Sequence, residues 1–197
     1  MFHRVFLAAI FALTLASASF AHHDKNHGES EIAAAIGPVI DAPAPTFSGL
    51  NAQGEAITLE DVAGSEGTIL VFVRSADWCP FCKRQLIELS ENAETLKAQG
   101  WQVVGLSYDT PEKLAKFSAK SDITYPLVSD TDSATIIAFG LLNEEVGINS
   151  RSYGIPHPAI VFIDAEGTVK AVLREEGYRK RPEIEQITET VTALSAN

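Results

Sequence analysis

Thr68-Ile69-Leu70-Val71-Phe72-Val73-Arg74-Ser75-Ala76-Asp77-Trp78-Cys79-Pro80-Phe81-Cys82 runs from an apolar, β-branched stretch into two cysteines separated by two residues. The first six residues read as a buried strand. Residues 83–99 then repeat apolar side chains at helical spacing, with Leu86, Leu89, Ala93 and Leu96 on one face. The segment is therefore a strand, a short turn and a helix, with Cys79 at the helix start. Unpaired backbone N–H groups and the macrodipole favour thiolate over thiol there. Cys82 lies one turn along, in reach of a mixed disulfide on Cys79. The pattern points to a redox-active dithiol, with Cys79 as an accessible nucleophile beside Trp78 and Cys82 as the resolving thiol.

No other cysteine exists in the chain. Half of a zinc site is the competing reading, but zinc needs two further ligands and there is no second cysteine pair. The histidines are His3, His22, His23, His27 and His157, of which only His157 stands in the body of the sequence. A structural disulfide is also disfavoured, because so short a loop restricts the unfolded chain little. No metal and no other cofactor is expected at the pair.

The chain has 197 residues, 46% of them apolar, which suits one α/β domain with appendages. Arg4 precedes an apolar run over residues 5–15, too short to span a bilayer, and small residues stand before Ala21. This reads as a signal peptide over residues 1–21, against the alternative of an uncleaved anchor. No cysteine stands at the cut to carry a lipid, and no later stretch reads as a membrane span. The protein is thus expected to be periplasmic or secreted, where disulfides persist. Loss of Arg4 with the leader takes the formal net charge from -11 to about -12. An acidic surface of this kind argues against nucleic acid as a partner.

Residues 22–44 read as a flexible tail and linker, histidine-rich at first and then rich in Ala, Gly and Pro. The cluster of His22, His23 and His27 is either a solvated tail or a holder for copper, nickel or zinc. Residues 45–197 form the expected domain. Residues 46–50 and 55–59 make a hairpin, residues 101–108 and 125–128 strands, and residues 159–164 and 168–174 a second hairpin. Helices are expected over residues 111–121, capped by Asp109 or Thr110, over residues 132–142 and over residues 182–193. Residues 143–157 are broken by Gly147, Asn149 and Gly154, and read as a loop or a lid. Helices between strands imply parallel pairing, and the final hairpin adds an antiparallel edge. Residues 175–182 (EEGYRKRP) hold the one clustered basic stretch, either a docking surface or a solvated helix entrance.

This order of elements, with the Trp78-Cys79-Pro80-Phe81-Cys82 motif, Ala44-Pro45-Thr46-Phe47 and Pro158-Ala159-Ile160-Val161-Phe162-Ile163-Asp164, resembles the thioredoxin fold. More narrowly it resembles the redoxin branch, the alkyl hydroperoxide reductase/thiol-specific antioxidant family. The resemblance implies an α/β thioredoxin-like fold, with a central mixed sheet flanked by helices and an N-terminal hairpin extension. It also implies a cis proline facing the dithiol, at Pro158 or else Pro156. The residue before it, His157, would then present its backbone to an extended substrate and sit close enough to tune Cys79. Trp78, His157 and Pro158 are the substrate-contacting residues on this view.

Two departures bear on function. Peroxiredoxins hold a Pro seven residues and a Thr or Ser three residues before the attacking cysteine, and an Arg that completes the peroxide pocket. Here those positions hold Phe72, Ala76 and Pro158, with Arg74 or Arg151 as possible substitutes for the arginine. Disulfide reductases carry a buried acid where this chain has Val73, or a Glu where it has Gln85, which leaves Asp77 and Glu88 as candidate proton acceptors for Cys82. The leading expectation is therefore an exported thiol–disulfide oxidoreductase, acting on a protein disulfide or dithiol with a second thiol redox partner. The alternatives are a thiol peroxidase, with Cys79 peroxidatic and Cys82 resolving, and a redox-inactive binding or metal-handling module.

Overall fold

The computed structural model describes Met1, residues 36–177 and residues 179–196. The leader and the histidine cluster lie outside the described residues. The chain divides into two units, Met1–Ala33 and Ala34–Asn197, and the second carries the fold.

A seven-stranded mixed sheet forms the centre, in the order β2-β1-β5-β4-β3-β6-β7. β1 (Ser48–Leu50) and β2 (Ala56–Thr58) make the N-terminal hairpin, and a 3-10 turn follows at Glu60–Val62. β3 (Gly67–Phe72) is buried at every residue. It sits between parallel β4 (Trp101–Ser107) and antiparallel β6 (Ala159–Asp164), so Ile69 has Val103 on one side and Phe162 on the other. A strand with neighbours on both edges and helices over both faces has no use for polar alternation, which is why residues 68–73 read as one apolar run. β5 (Leu127–Ser129) pairs parallel to β4, and β7 (Val169–Leu173) closes the other edge antiparallel to β6.

The helices α1 (Pro80–Ala98), α2 (Pro111–Ser121) and α4 (Ile184–Ser195) cover one face. There Leu86, Leu89 and Leu96 of α1, Leu114 and Phe117 of α2, and Ile187 and Val191 of α4 pack on Ile69, Val71, Ile160 and Phe162. Gly100, at φ +84°, ends α1 in a left-handed turn that a side chain would strain. The opposite face is covered by α3 (Ala134–Ala138), with Ile136, Phe139 and Leu141 against Leu70, Phe72, Val161 and Ile163.

Three expectations change. The helix read over residues 132–142 is one short turn, because Gly140 at φ +65° redirects the chain and Leu142 bridges to Pro156. The described end of the linker is seated, not loose: Pro43 bridges to Thr168, and the N–H groups of Gly37, Asp41 and Ala44 donate to the carbonyls of Gly140, Val169 and Gly167. An edge strand offers unpaired backbone groups, and this segment satisfies those of Val169 at the start of β7. Finally, no peptide bond among the described residues is cis, at Pro158 or at Pro156. The His157 N–H donates to the Leu141 carbonyl at 2.7 Å, so the backbone expected to receive a substrate already has a partner within the fold. No helix among the described residues is long and apolar enough to cross a membrane.

Candidate active site

β3 delivers the chain to a loop whose shape is imposed by the next strand. The Val73 N–H donates to the Leu106 carbonyl at 3.0 Å, prolonging the β3–β4 ladder by one residue. Beyond it, the buried carboxylate of Asp109 gathers the loop: Oδ1 accepts from Ser75 Oγ at 2.8 Å, and Oδ2 from the Ala76 N–H at 2.6 Å and Ser107 Oγ at 2.8 Å. Ser75 Oγ in turn accepts the N–H groups of Asp77 (2.9 Å) and Trp78 (3.1 Å). Ser129 of β5 donates to the Asp109 carbonyl at 2.7 Å. A buried carboxylate is tolerated only when its oxygens are filled in this way. Asp109 is therefore not the cap of α2. Thr110 takes that place and makes no side-chain cap bond.

The loop ends at Cys79, which is the N-cap of α1: its sulfur accepts the Cys82 N–H at 3.2 Å. A cysteine in the cap position takes one of the orphan donors of the first turn, and the same N–H stabilises a sulfur anion there. Pro80 follows at the first helical position, where a missing N–H costs nothing. Cys79 and Cys82 are joined as a disulfide, with Cα atoms 5.3 Å apart.

Both sulfur-bearing residues are more hidden than the sequence suggests. Cys79 is 1% exposed and Cys82 is 0% exposed, since both belong to the core under α1. Trp78, 39% exposed, is the surface feature of the motif. Its Nε1–H donates to Tyr108 Oη at 3.0 Å, and the Arg74 guanidinium lies 4.8 Å from its ring centroid.

The structure does not bring His157 to the dithiol. Its N–H is held by the Leu141 carbonyl, and Leu141 packs in the core of the α3 face. The charges felt by its imidazole are Arg174, Glu145 and Glu144, and burial together with Arg174 lowers its pKa. Both the packing and the lowered pKa speak against a cation tuning Cys79 from this position. Pro158, half-buried, leads into β6 on the side of Ile160, the face that holds the cysteines.

Neither carboxylate considered for proton transfer serves Cys82. Asp77 is bound to Lys113 at 2.9 Å, which holds its carboxyl below the usual range, and Glu88 is exposed on α1. The group that meets Cys82 is Arg181, whose Nη2 donates to Sγ at 3.3 Å. Arg181 enters from the segment before α4, and its Nη1 also donates to the Lys180 carbonyl at 2.6 Å. Burial, with repulsion from Arg74 and Arg84, brings its pKa down to about 10, so it is charged at neutral pH. One turn beyond Cys82, Gln85 is 6% exposed and its Oε1 has no partner among the described residues. Arg181, Gln85, Arg84 and Phe81 line a cleft of about 670 Å³ between α1 and the start of α4. Sequence reasoning missed both Asp109 and Arg181. The signal for Arg181 was the basic cluster of residues 179–181 in an acidic chain, whereas Asp109 had none beyond its place after a buried strand.

The peroxide-pocket positions look away from any such use. Phe72 packs on the α3 face, 5.1 Å from the Phe139 ring centroid, and Ala76 contributes only its backbone. Arg151 is exposed in the irregular stretch before β6, while Arg74 stays beside Trp78.

Comparison with known proteins extends over this same region. Residues 40–172 match the model of the AhpC/TSA family. The peroxiredoxin Bcp of Escherichia coli (strain K12) is 34% identical over 129 residues, which cover 66% of this chain and 81% of that protein. A putative peroxiredoxin bcp of Haemophilus influenzae is 31% identical, with the same coverage. Among solved structures, peroxiredoxin Q of Xanthomonas campestris superposes with a TM-score of 0.64 at 24% identity, covering 81% of this chain and 97% of that one. A peroxiredoxin-like protein from Aquifex aeolicus gives 0.67 at 21% identity, covering 81% and 90%. These structures share the mixed sheet with flanking helices.

Proposed function

Because the chain belongs to the AhpC/TSA family, and so is an oxidoreductase acting on thiols, we propose that it is a thiol peroxidase in which Cys79 is peroxidatic and Cys82 resolving. The observation that carries this reading is the placement of Cys79 as the cap of α1, its sulfur on the Cys82 N–H and bonded to the Cys82 sulfur. In the reduced protein the Cys79 thiolate attacks the terminal oxygen of a hydroperoxide. The O–O bond breaks, an alcohol or water leaves with a solvent proton, and Cys79 becomes a sulfenic acid. The Cys82 thiolate then attacks that sulfur, expels water after protonation, and closes the disulfide. Two equivalents of a thiol reductant reopen it by exchange.

A second reading, thiol–disulfide exchange without peroxide chemistry, is favoured by Phe72, Ala76 and Pro158. None of them offers a hydroxyl or a guanidinium to a peroxide. Stopped-flow fluorescence on the reduced protein separates the two. Oxidation by hydrogen peroxide at least a thousandfold faster than a free thiol is expected; a rate like that of a free thiol, together with rapid exchange with a small disulfide, overturns the peroxidase.

Action outside the cytoplasm is part of the same proposal and rests on the leader read over residues 1–21. Amino-terminal sequencing of the protein purified from its host is expected to begin at His22. A chain that still begins at Met1 and stays with the cytoplasmic fraction overturns export.

A further inference from the structure

We propose that Arg181 decides which way the Cys79–Cys82 disulfide opens, by stabilising Cys82 as the leaving thiolate. The proposal rests on the disulfide seen in the structure and holds whether peroxide or another disulfide is the oxidant. The two sulfurs have different surroundings. Cys79 Sγ accepts a backbone N–H, a neutral donor held by the helix. Cys82 Sγ accepts a guanidinium N–H at 3.3 Å, a charged donor from a segment about a hundred residues away in sequence. The other charged groups around Arg181 are Arg74 after β3 and, lining the cleft, Arg84 and Glu88 on α1, Glu175, Arg179, Lys180 and Glu183 before α4, and Glu185 on α4. The cations and carboxylates of the cleft balance in number, and Arg181 is the one whose N–H reaches the Cys82 sulfur.

Thiol–disulfide exchange is fastest when the departing sulfur is the better anion. A reductant thiolate attacks Cys79 Sγ and forms a mixed disulfide there. The electron pair of the Cys79–Cys82 bond passes to Cys82, whose thiolate departs onto the Arg181 N–H. A second reductant thiolate attacks the reductant's sulfur in the mixed disulfide, releasing the oxidised reductant and the Cys79 thiolate, and both protein thiolates take protons from solvent as pH dictates. The guanidinium also stands on the cleft side of Cys82, so attack on that sulfur would have to displace it. Arg181 acts directly on the chemistry in this account, since it touches the sulfur that leaves.

The test uses the full chain in a Cys79→Ser background, where Cys82 is the single thiol and its thiolate absorbance near 240 nm is read against pH. Replacement Arg181→Gln is expected to raise the Cys82 pKa by about 1 unit or more, and Arg181→Lys by less, since an opposite charge within a few ångströms is worth that much. In the otherwise native chain, Arg181→Gln is expected to slow reduction by dithiothreitol about threefold or more at fixed pH. Quenched reaction with a monothiol is expected to place the adduct on Cys79, and on both cysteines once Arg181 is Gln. An unchanged Cys82 pKa in a folded Arg181→Gln protein, or an adduct confined to Cys79 in both chains, overturns the proposal. If Arg181→Gln does not fold, an Arg181→Lys protein that moves neither the pKa nor the reduction rate does the same.

Discussion

Cys79→Ser is expected to abolish turnover with either peroxide or a disulfide, while Cys82→Ser is expected to leave one round of attack and then stall. The asymmetry follows from geometry. Cys79 is the helix cap, and the Cys82 N–H already points at its sulfur, so the anion needed for attack is stabilised before any substrate arrives. A serine hydroxyl accepts the same N–H and keeps the cap, so the fold should survive, but its pKa leaves no useful nucleophile at neutral pH. The rate should fall by about three orders of magnitude or more, to background. Without Cys82, Cys79 is still activated but nothing within the chain resolves its product, because there is no third cysteine. Mass spectrometry of Cys82→Ser after one equivalent of oxidant should find a sulfenic acid or a mixed disulfide on Cys79. If instead Cys82→Ser prevents the first attack while Cys79→Ser permits it, the two roles are reversed.

Asp109→Ala carries the second large effect, and it falls first on stability. The carboxylate accepts from Ser75, Ala76 and Ser107, all buried. Losing an acceptor for buried donors costs about 1–3 kcal/mol each, so a destabilisation of about 3 kcal/mol or more is expected in urea with the disulfide intact. Asp109→Asn is expected to fall between. Its amide oxygen can keep the Ala76 N–H, but its NH₂ then faces Ser75 Oγ, which already accepts two N–H groups. Because Ser75 passes the anchor on to the backbone of Asp77 and Trp78, the loop before Cys79 should loosen, and peroxide or exchange rates should fall at least tenfold. A urea midpoint and rate equal to those of the unmodified chain would mean that the loop is held by its own turn and not by Asp109.

Much of this fold was legible because the relevant residues are neighbours in sequence. The run 69–73 is apolar at every position, which only a strand buried on both faces tolerates, and the 111–121 helix has Pro at its first residue and buried Leu114 and Phe117 at helical spacing. Where the reading failed, a distant partner had overruled a local preference. Residues 132–142 have helical composition, yet Gly140 turns the chain and Leu142 pairs with Pro156. Residues 36–44 look like a linker, yet Gly140, Gly167 and Val169 at the start of β7 take their backbone groups. The cis proline was inferred from a resemblance, and the His157 N–H bound to Leu141 shows a different solution at that point of the chain.

The candidate site divides along the same line. Cys79, Pro80 and Cys82 had to stand at a helix start, since strand, turn and amphipathic helix follow one another within thirty residues, and cap geometry is local. The burial of both sulfurs, the removal of His157 to the other face, the Asp109 anchor and the Arg181 contact were settled by long-range packing. Asp109 is more than thirty residues from the loop it holds, and Arg181 about a hundred from the sulfur it meets. Hydrogen-bonding preference tells which residue types seek partners, but not which of many partners the folded sheet brings within 3 Å.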